Sequence, residues 1–340
     1  MSAYDADEGA PWYVVVLVVL VLVAGGTLAY VVVSGEDLVS DVLGLVGLEV
    51  AADADGTEAE AEADAAEGDD DGELVPAEFA DYSWSELAQV ADLVAAAADD
   101  EEAAAIAEEW GVSVGATRTL TLDDGTQATL TVVGLRADEL ADGSGVAGLT
   151  LMLSQISTQA MNSEDSAAGG WEASELRAWL ASEGLELLPD ELAAEVATVT
   201  KLTNNTGAAS STDVVTATSD ALWLFSVAEV CGEVGWFVEE YGEPMASNGW
   251  TDYSVYDVLV SAEGEQYEYF ASAGVTGETG AGGVLALTDS ATTPWWYRTP
   301  NPFALDGEEA SCFYQVTGSG YPASMGLASV AAGVVVGLCL

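Results

Sequence analysis

Carboxylates dominate the residues that could do chemistry in this 340-residue chain. It has 59 Asp and Glu residues, 5 Lys and Arg residues and no histidine, for a formal net charge of −54. The absence of histidine excludes Ser-His-Asp and Cys-His nucleophile activation and every zinc site that needs a histidine ligand. Chemistry or recognition must therefore come from carboxylates, from the few cations or from aromatic faces.

Glycoside hydrolysis is the reaction that carboxylates alone could support, since it needs two of them about 5 to 10 Å apart. Among 59 acidic residues the sequence cannot select a pair, so no catalytic residue is assigned. No phosphate loop, dinucleotide fingerprint or cysteine-based site occurs. A carboxylate-dependent, glycan-acting hydrolase is kept as the alternative hypothesis, and we expect binding rather than catalysis.

Three of the five cations lie beside predicted core elements. A chain that has lost almost all its cations is expected to retain those that neutralise buried carboxylates. The candidates for such structural ion pairs are Arg177, Lys201, Glu172, Glu175 and Glu229. Arg298 has a second interpretation, because it follows Trp295 and Trp296 and could form an anion site with them.

Aromatic side chains supply the remaining candidates. Four of them, Trp236, Tyr241, Trp250 and Tyr253, fall in a segment that reads as a long irregular loop, and such loops often carry recognition. The ligand-binding candidates are these four together with Trp295, Trp296 and Arg298. The alternative is that the rings only pack the loop onto the domain. We expect no cofactor; neighbouring carboxylates could bind calcium, but no specific calcium motif is present.

The net charge excludes one class of partner, and the cysteine spacing excludes two kinds of site. A surface this acidic repels polyanions, so nucleic acid is excluded as a partner. Cys231, Cys312 and Cys339 lack the spacing of a metal or redox site. One disulfide with a free thiol, or three buried thiols, both remain open.

The N-terminal part predicts a membrane anchor. After a short tail at 1–10, residues 11–33 read as one transmembrane helix, because 13–33 is an uncharged apolar run of about twenty residues. A cleaved signal peptide is the alternative, but a basic region before the apolar run is missing. Neither flank carries Lys or Arg to set the orientation, and we expect the C-terminal domain outside the cytoplasm of a single-pass cell-membrane protein.

Residues 34–81 predict an acidic, disordered stalk, because a self-repelling block rich in Ala, Asp, Glu and Gly cannot bury enough apolar area to fold. Residues 82–340 predict the globular domain. Ser83 and Glu86 have capping-box spacing before a helix, and a second helix follows Asp99. Period-two alternation then predicts a hairpin over 117–122 and 126–133.

The rest of the domain mixes short strands, short helices and irregular chain. A turn at Gly169-Gly170 leads into a short helix, and Pro189 suits the first turn of another. Strands are expected at 148–153, 196–202, 221–225, 311–316 and 333–340, with Ser226 capping a helix and helical content over 256–273. The fold class is therefore α+β with irregular loops.

Several of these segments together resemble the bacterial cell-surface family catalogued as domain of unknown function 6273, over roughly 82–340. The similar segments are Gly169-Gly170-Trp171-Glu172, Leu176-Arg177, Leu188-Pro189-Asp190-Glu191-Leu192, Val199-Thr200-Lys201-Leu202-Thr203-Asn204-Asn205-Thr206-Gly207, Leu222-Trp223-Leu224-Phe225-Ser226, Glu229-Val230 and Trp295-Trp296-Tyr297-Arg298-Thr299-Pro300. The resemblance implies a C-type-lectin-like mixed domain, secreted or membrane-anchored. The predicted protein is a membrane-anchored extracytoplasmic interaction module whose lectin-like head binds an extracellular protein or glycan.

Two features depart from that family. Its members often end in Gly-Val-Arg-Pro and an apolar strand, whereas this chain has Gly333-Val334-Val335-Val336. Members also hold more Lys and Arg. Adaptation to high salt and a redesigned sequence both remain open as explanations for the acidity, and either one predicts a fold that salt stabilises.

Overall fold

The computed structural model describes residues 22–24, 27–29, 74–205, 215–235, 256–286, 293–302 and 310–340. The chain divides into two compact units, residues 1–70 and 71–340. In the first unit, β1 (Leu22–Ala24) pairs antiparallel with β2 (Thr27–Ala29). These six residues are thus strand where the sequence predicts helix, and the rest of the predicted span and most of the stalk lie outside the described residues. Across the described ranges, no helix is both long and apolar enough to cross a bilayer.

The second unit begins with two helices, α1 (Trp84–Ala95) and α2 (Asp100–Glu109). The predicted capping box is confirmed: Ser83 and Glu86 satisfy each other's backbone N–H groups, which fixes the first residue of α1. Asp99 caps α2 through its carboxylate. The folded chain starts earlier than the expected 82, because Phe79 is already buried.

Ten strands follow. They are β3 (Thr117–Thr121), β4 (Gln127–Leu135), β5 (Leu149–Gln159), β6 (Val199–Asn204), β7 (Val215–Asp220), β8 (Trp223–Leu224), β9 (Trp295–Asn301), β10 (Cys312–Val316), β11 (Ser324–Leu327) and β12 (Ala332–Cys339). The main sheet has the order β11-β10-β9-β12-β5-β4-β3, with β8 also paired to β12. All these pairs are antiparallel except β9 with β12, and β6 and β7 form a separate hairpin.

Short helices fill the connections. They are α3 (Glu175–Trp179), a π turn (Leu180–Gly184), a 3-10 turn (Leu185–Leu187), α4 (Asp190–Ala193), α5 (Val227–Cys231), α6 (Tyr256–Ser261), α7 (Glu268–Ala273) and a 3-10 turn (Ala281–Gly283). The turn before α3 requires glycine: Gly170 has φ +53°, and a Cβ there would lie 2.4 Å from Cα of Asn205. The strand at 221–225 is only two residues long, and the aromatic run from Trp295 is a full seven-residue strand.

Both faces of the main sheet are buried, because successive side chains of a strand point to opposite faces. In β5, the side chains of Leu151 and Leu153 belong to a first hydrophobic core, and that of Met152 belongs to a second core on the opposite face. In β12, Val335 belongs to the second core, whereas its neighbours belong to the first. The first core packs under α1 and α2, and the second under α5, α6 and α7. The result is an α+β domain with a mixed sheet between two helical layers.

Candidate functional site

The most concentrated set of charged side chains in the described residues is buried where β6, α5 and β9 meet. At its centre, the Arg298 guanidinium donates to both oxygens of Glu229, at 2.5 and 2.8 Å. Glu229 is placed by the start of α5, where it also accepts from the backbone N–H of Ser226 at 2.9 Å. A two-pronged arginine–carboxylate pair of this kind fixes both position and orientation. The capping box of α5 thus doubles as the anchor for a buried cation.

Lys201 extends the pair into a chain of charges. Its Nζ lies 2.5 Å from Glu229 Oε1 and 2.6 Å from Asp138 Oδ1, and it donates to the Tyr267 hydroxyl at 2.9 Å. The same ammonium lies 4.6 Å from the Trp223 ring centroid, within cation–π range. Lys201 therefore ties β6 to the segment after β4 and to the start of α7.

Glu263 completes the cluster from the segment after α6. Its Oε1 accepts from the backbone N–H of Asn204 at 2.9 Å, and its Oε2 accepts from the Thr299 hydroxyl. Its own carbonyl accepts from Arg298 at 3.0 Å. Burial raises the pKa of Glu263 to about 7, more than its donors and Arg298 lower it. Burial also acts to raise the pKa of Glu229, but Arg298 and Lys201 outweigh it and lower that pKa to about 2.

Two carboxyl groups with pKa values pushed apart are the pattern of a general acid and a base. Here, however, Glu229 and Glu263 are only 2% and 1% exposed, and every one of their oxygens meets a protein donor. A substrate has no approach to either group in this arrangement. What the cluster does is hold β6, α5, β9 and the α6–α7 connection together through charge.

Arg177 pairs with a residue that the sequence does not suggest. Its Nε lies 2.6 Å from Asp220 Oδ1 on β7, and Asp220 Oδ2 accepts from the Trp171 indole at 3.2 Å. Glu172 instead accepts from Asn205 Nδ2, and Glu175 accepts from Ser163. The glycine turn and α3 are therefore held against the β6–β7 hairpin by Arg177 and Trp171 together.

The ligand-binding candidates divide into two groups. Trp236, Tyr241, Trp250 and Tyr253 lie outside the described residues and stay predictions. Trp295, Trp296 and Arg298 are all fully buried on β9. The Trp295 indole donates to the Leu285 carbonyl and the Trp296 indole to the Gln159 carbonyl, each at 2.9 Å. These three side chains do not reach the surface, so their place in the fold is the core.

Sequence reasoning missed Asp138, Asp220, Glu263 and Tyr267. Nothing marks Asp138 or Glu263 among the other carboxylates of the chain, because their partners lie 63 and 59 residues away in the sequence. One weak signal exists: Gly264 follows Glu263, and a Cβ at Gly264 would lie 3.0 Å from Cγ of Glu229. A glycine beside a carboxylate between two helical segments can mark such a close approach.

The cysteines are free and buried, which decides between the two alternatives left open by their spacing. Burial raises the pKa of Cys231 to about 12 and that of Cys312 to about 11, so neither is an activated thiol. Within the described part of the chain, no group of three or more Asp, Glu or Cys side chains is arranged to hold a metal ion.

Taken together, the fold and the buried cluster define an α+β module with a mixed sheet that is stabilised by an internal ion network. The chain belongs to the family described as Domain of unknown function (DUF6273), whose model matches residues 147–340. The match starts later than the expected 82 and leaves out α1, α2, β3 and β4, although β4 pairs directly with β5. No curated protein and no solved structure matches the chain.

Proposed function

We propose that this protein is an interaction module whose globular unit captures an extended polypeptide along one edge of its main sheet. The observation that carries this proposal is the distribution of charge. Residues 310–340 contain no Asp, Glu, Lys or Arg, in a chain that has 59 acidic residues. This uncharged segment includes β10, β11 and β12, and β11 is the last strand of the main sheet.

The outer strand β11 has the features of a docking edge. It pairs with β10 on one side, and on its other side no strand pairs with it in the described ranges. Three apolar side chains around it are exposed, with Tyr321 at 49%, Met325 at 46% and Val330 at 54% of their surface. Soluble proteins usually protect such edges with charge, and an unprotected apolar edge marks an interaction site.

The opposite edge of the same sheet provides a contrast. Its last strand, β3, is followed by the exposed Asp123 and Asp124 in the hairpin turn. Charges of this kind discourage a further strand from pairing. One edge of the sheet is therefore protected by charge, whereas the other edge is apolar.

The surroundings of β11 indicate the chemistry of the partner. Strand addition satisfies backbone N–H and C=O groups, and alternate side chains of the added strand meet the exposed apolar residues. Just beyond β11, Asp165 accepts from the N–H and the hydroxyl of Ser329, at 3.1 and 2.5 Å. An acidic group at that end favours a partner strand that is apolar in its middle and basic at one end.

The setting of the module remains part of the proposal. The uncharged run at 13–33 supports a single-pass membrane anchor, and the acidic residues between 34 and 73 support a spacer that presents the module outside the cytoplasm. A C-type-lectin-like head is supported by the ends of the family match: β5 and β12, its first and last strands, pair antiparallel, and β6 to β11 with the short helices lie between them in the sequence. The aromatic candidates from Trp236 to Tyr253 would add glycan recognition to such a head.

The test uses the full chain in non-ionic detergent micelles. It is applied to an array of synthetic extended peptides that vary in apolar and basic content, and to a glycan array. We expect binding to peptides with an apolar centre and a basic end. The variant Met325→Lys should weaken that binding at least tenfold, while Leu93→Lys, which places the same change on the exposed face of α1, should leave it unchanged.

Three outcomes would count against the proposal. One is that no peptide binds, and another is that Met325→Lys binds as well as the parent chain. A third is that only glycans bind and that bound glycan is turned over, which would support the hydrolase instead.

A further inference from the structure

The buried cluster holds one more carboxyl group than it has cations. Asp138, Glu229 and Glu263 face two cations, Lys201 and Arg298, and all five side chains are nearly inaccessible to water. Lys201 contacts Asp138 and Glu229, and Arg298 contacts Glu229 through both oxygens. The Glu263 oxygens instead meet two neutral donors, the N–H of Asn204 and the hydroxyl of Thr299. Glu263 is therefore the surplus carboxyl group.

Glu263 also lies where several elements are joined. Asn204 ends β6, and Thr299 lies in β9, where its hydroxyl oxygen accepts from the backbone N–H of Val227 at the start of α5. The Glu263 carbonyl accepts from Arg298, and the next residue, Gly264, passes against Glu229. The Glu263 side chain thus connects the end of α6 to β6, to β9 and, through Thr299, to α5.

We propose that the protonation state of Glu263 controls a local opening of the fold. When Glu263 is protonated, it holds the end of α6 in the core. Loss of the proton favours a locally open state in which Glu263 reaches water. The reason is electrostatic. A neutral Glu263 leaves two carboxylates against two cations, whereas an ionised Glu263 adds an uncompensated charge inside the fold. Opening of the 256–264 segment hydrates that charge.

Titratable and charged groups surround Glu263 from several neighbouring elements. They are Asp138 after β4, Lys201 of β6, Glu229 of α5, Tyr256 of α6, Tyr267 at the start of α7, Arg298 of β9, Tyr314 of β10 and Cys339 of β12. Burial raises the pKa values of Tyr256 and Tyr267 well above the ordinary value, so both phenols stay neutral at physiological pH. Glu229 keeps its charge because its pKa is about 2. The pKa of Glu263, about 7, lies within the physiological range.

The size of the effect follows from linkage. Glu263 has a pKa of about 7 in the closed state and the ordinary value of 4.5 once it reaches water. The ratio of open to closed molecules then rises with pH to a limit of roughly 300-fold, and by about 70-fold between pH 5 and pH 8. Below 4.5 both states are protonated, and opening no longer depends on this group.

Hydrogen exchange of the full chain in non-ionic detergent micelles measures the opening directly. After correction for the intrinsic base-catalysed rate, protection of peptides that span 256–264 should fall about 70-fold from pH 5 to pH 8. Glu263→Gln should abolish this fall, because glutamine is neutral at both pH values. Glu265→Gln, two residues away and exposed, is the matched control and should retain it.

A second measurement needs no variant. The infrared carbonyl band of a protonated, buried carboxyl group should be present in the parent chain at pH 6 and should disappear with a midpoint near pH 7. Protection that does not change with pH, a Glu263→Gln chain that loses protection as the parent does, or the absence of that band would each overturn the proposal. Because the readouts concern only the fold, the result is independent of whether the β11 edge binds a partner.

Discussion

The sharpest test of the buried network is the substitution Arg298→Met, which keeps an unbranched side chain and removes the charge. In the parent chain, Arg298 donates to both oxygens of Glu229 and to three backbone carbonyls, those of Leu202, Leu224 and Glu263. Methionine replaces none of these donors. Glu229 would keep Lys201 as its remaining cation.

The expected loss can be worked from these contacts. Removal of one member of a buried ion pair costs about 3 to 5 kcal/mol, because the partner charge is stranded. The carbonyls that lose their donor cost about 1 kcal/mol or more each if water cannot reach them, whereas the retained Lys201 offsets part of the total. We therefore expect a loss of at least about 4 kcal/mol, a large share of the 5 to 15 kcal/mol typical of a domain.

Urea unfolding of the full chain in non-ionic detergent, followed by fluorescence of its 10 tryptophans, measures this loss. Arg136→Met is the matched control, since the one ion pair of Arg136 among the described residues is with Asp100, at 3.9 Å, and that carboxylate is 98% exposed. A pair with one partner in water contributes about 1 kcal/mol or less. A loss below about 1 kcal/mol for Arg298→Met, or one equal to that of the control, would refute the structural role assigned to Arg298.

Three further results are expected. Stability should fall by about 2.5 kcal/mol between pH 5 and pH 8, because the pKa of Glu263 is higher in the folded than in the unfolded state. Urea titrations at the two pH values measure this fall, and Glu263→Gln should remove it. A parent chain that is equally stable at both pH values would contradict the prediction. Gly337→Ala should cost about 1 to 3 kcal/mol, since the new Cβ would lie 2.4 Å from Cε2 of Trp223; an unchanged Tm would show that the indole can move aside. Tm should rise between low and molar salt, because the net charge of −54 repels itself; an unchanged Tm would count against that repulsion.

Local sequence patterns were enough to predict much of the domain. The capping residues Ser83 and Ser226, the hairpin of β3 and β4, and the division of 256–273 around Gly264 all depend on contacts within a few residues. Such signals can be read from the order of residues alone. The closing apolar strand at the C-terminus was predicted for the same reason and is confirmed as β12.

Partner choice within the buried cluster could not be predicted in this way. Glu229 was named as a candidate, but its pairing with Arg298 spans 69 residues, and Asp138 and Glu263 were not singled out. Every acidic residue offers the same chemistry, so only proximity in the folded chain distinguishes the few that are buried from the many that are hydrated. The sequence could not show whether the aromatic residues at the start of β9 form a binding surface or part of the core, because aromatic residues are suited to both.

By itself, the sequence determined the α+β class, the family, the exclusion of histidine-based chemistry and the positions of helix starts and turns. The tertiary structure decided which carboxylates lose their water, which cations accompany them and which edge of the sheet is left without charge. The physical reason is that burial and pairing depend on distance in space, and the sheet places residues from four separate segments within a few ångströms of Arg298. The composition gives the number of charged residues, whereas the folded structure determines which of them are buried and which partner each one has.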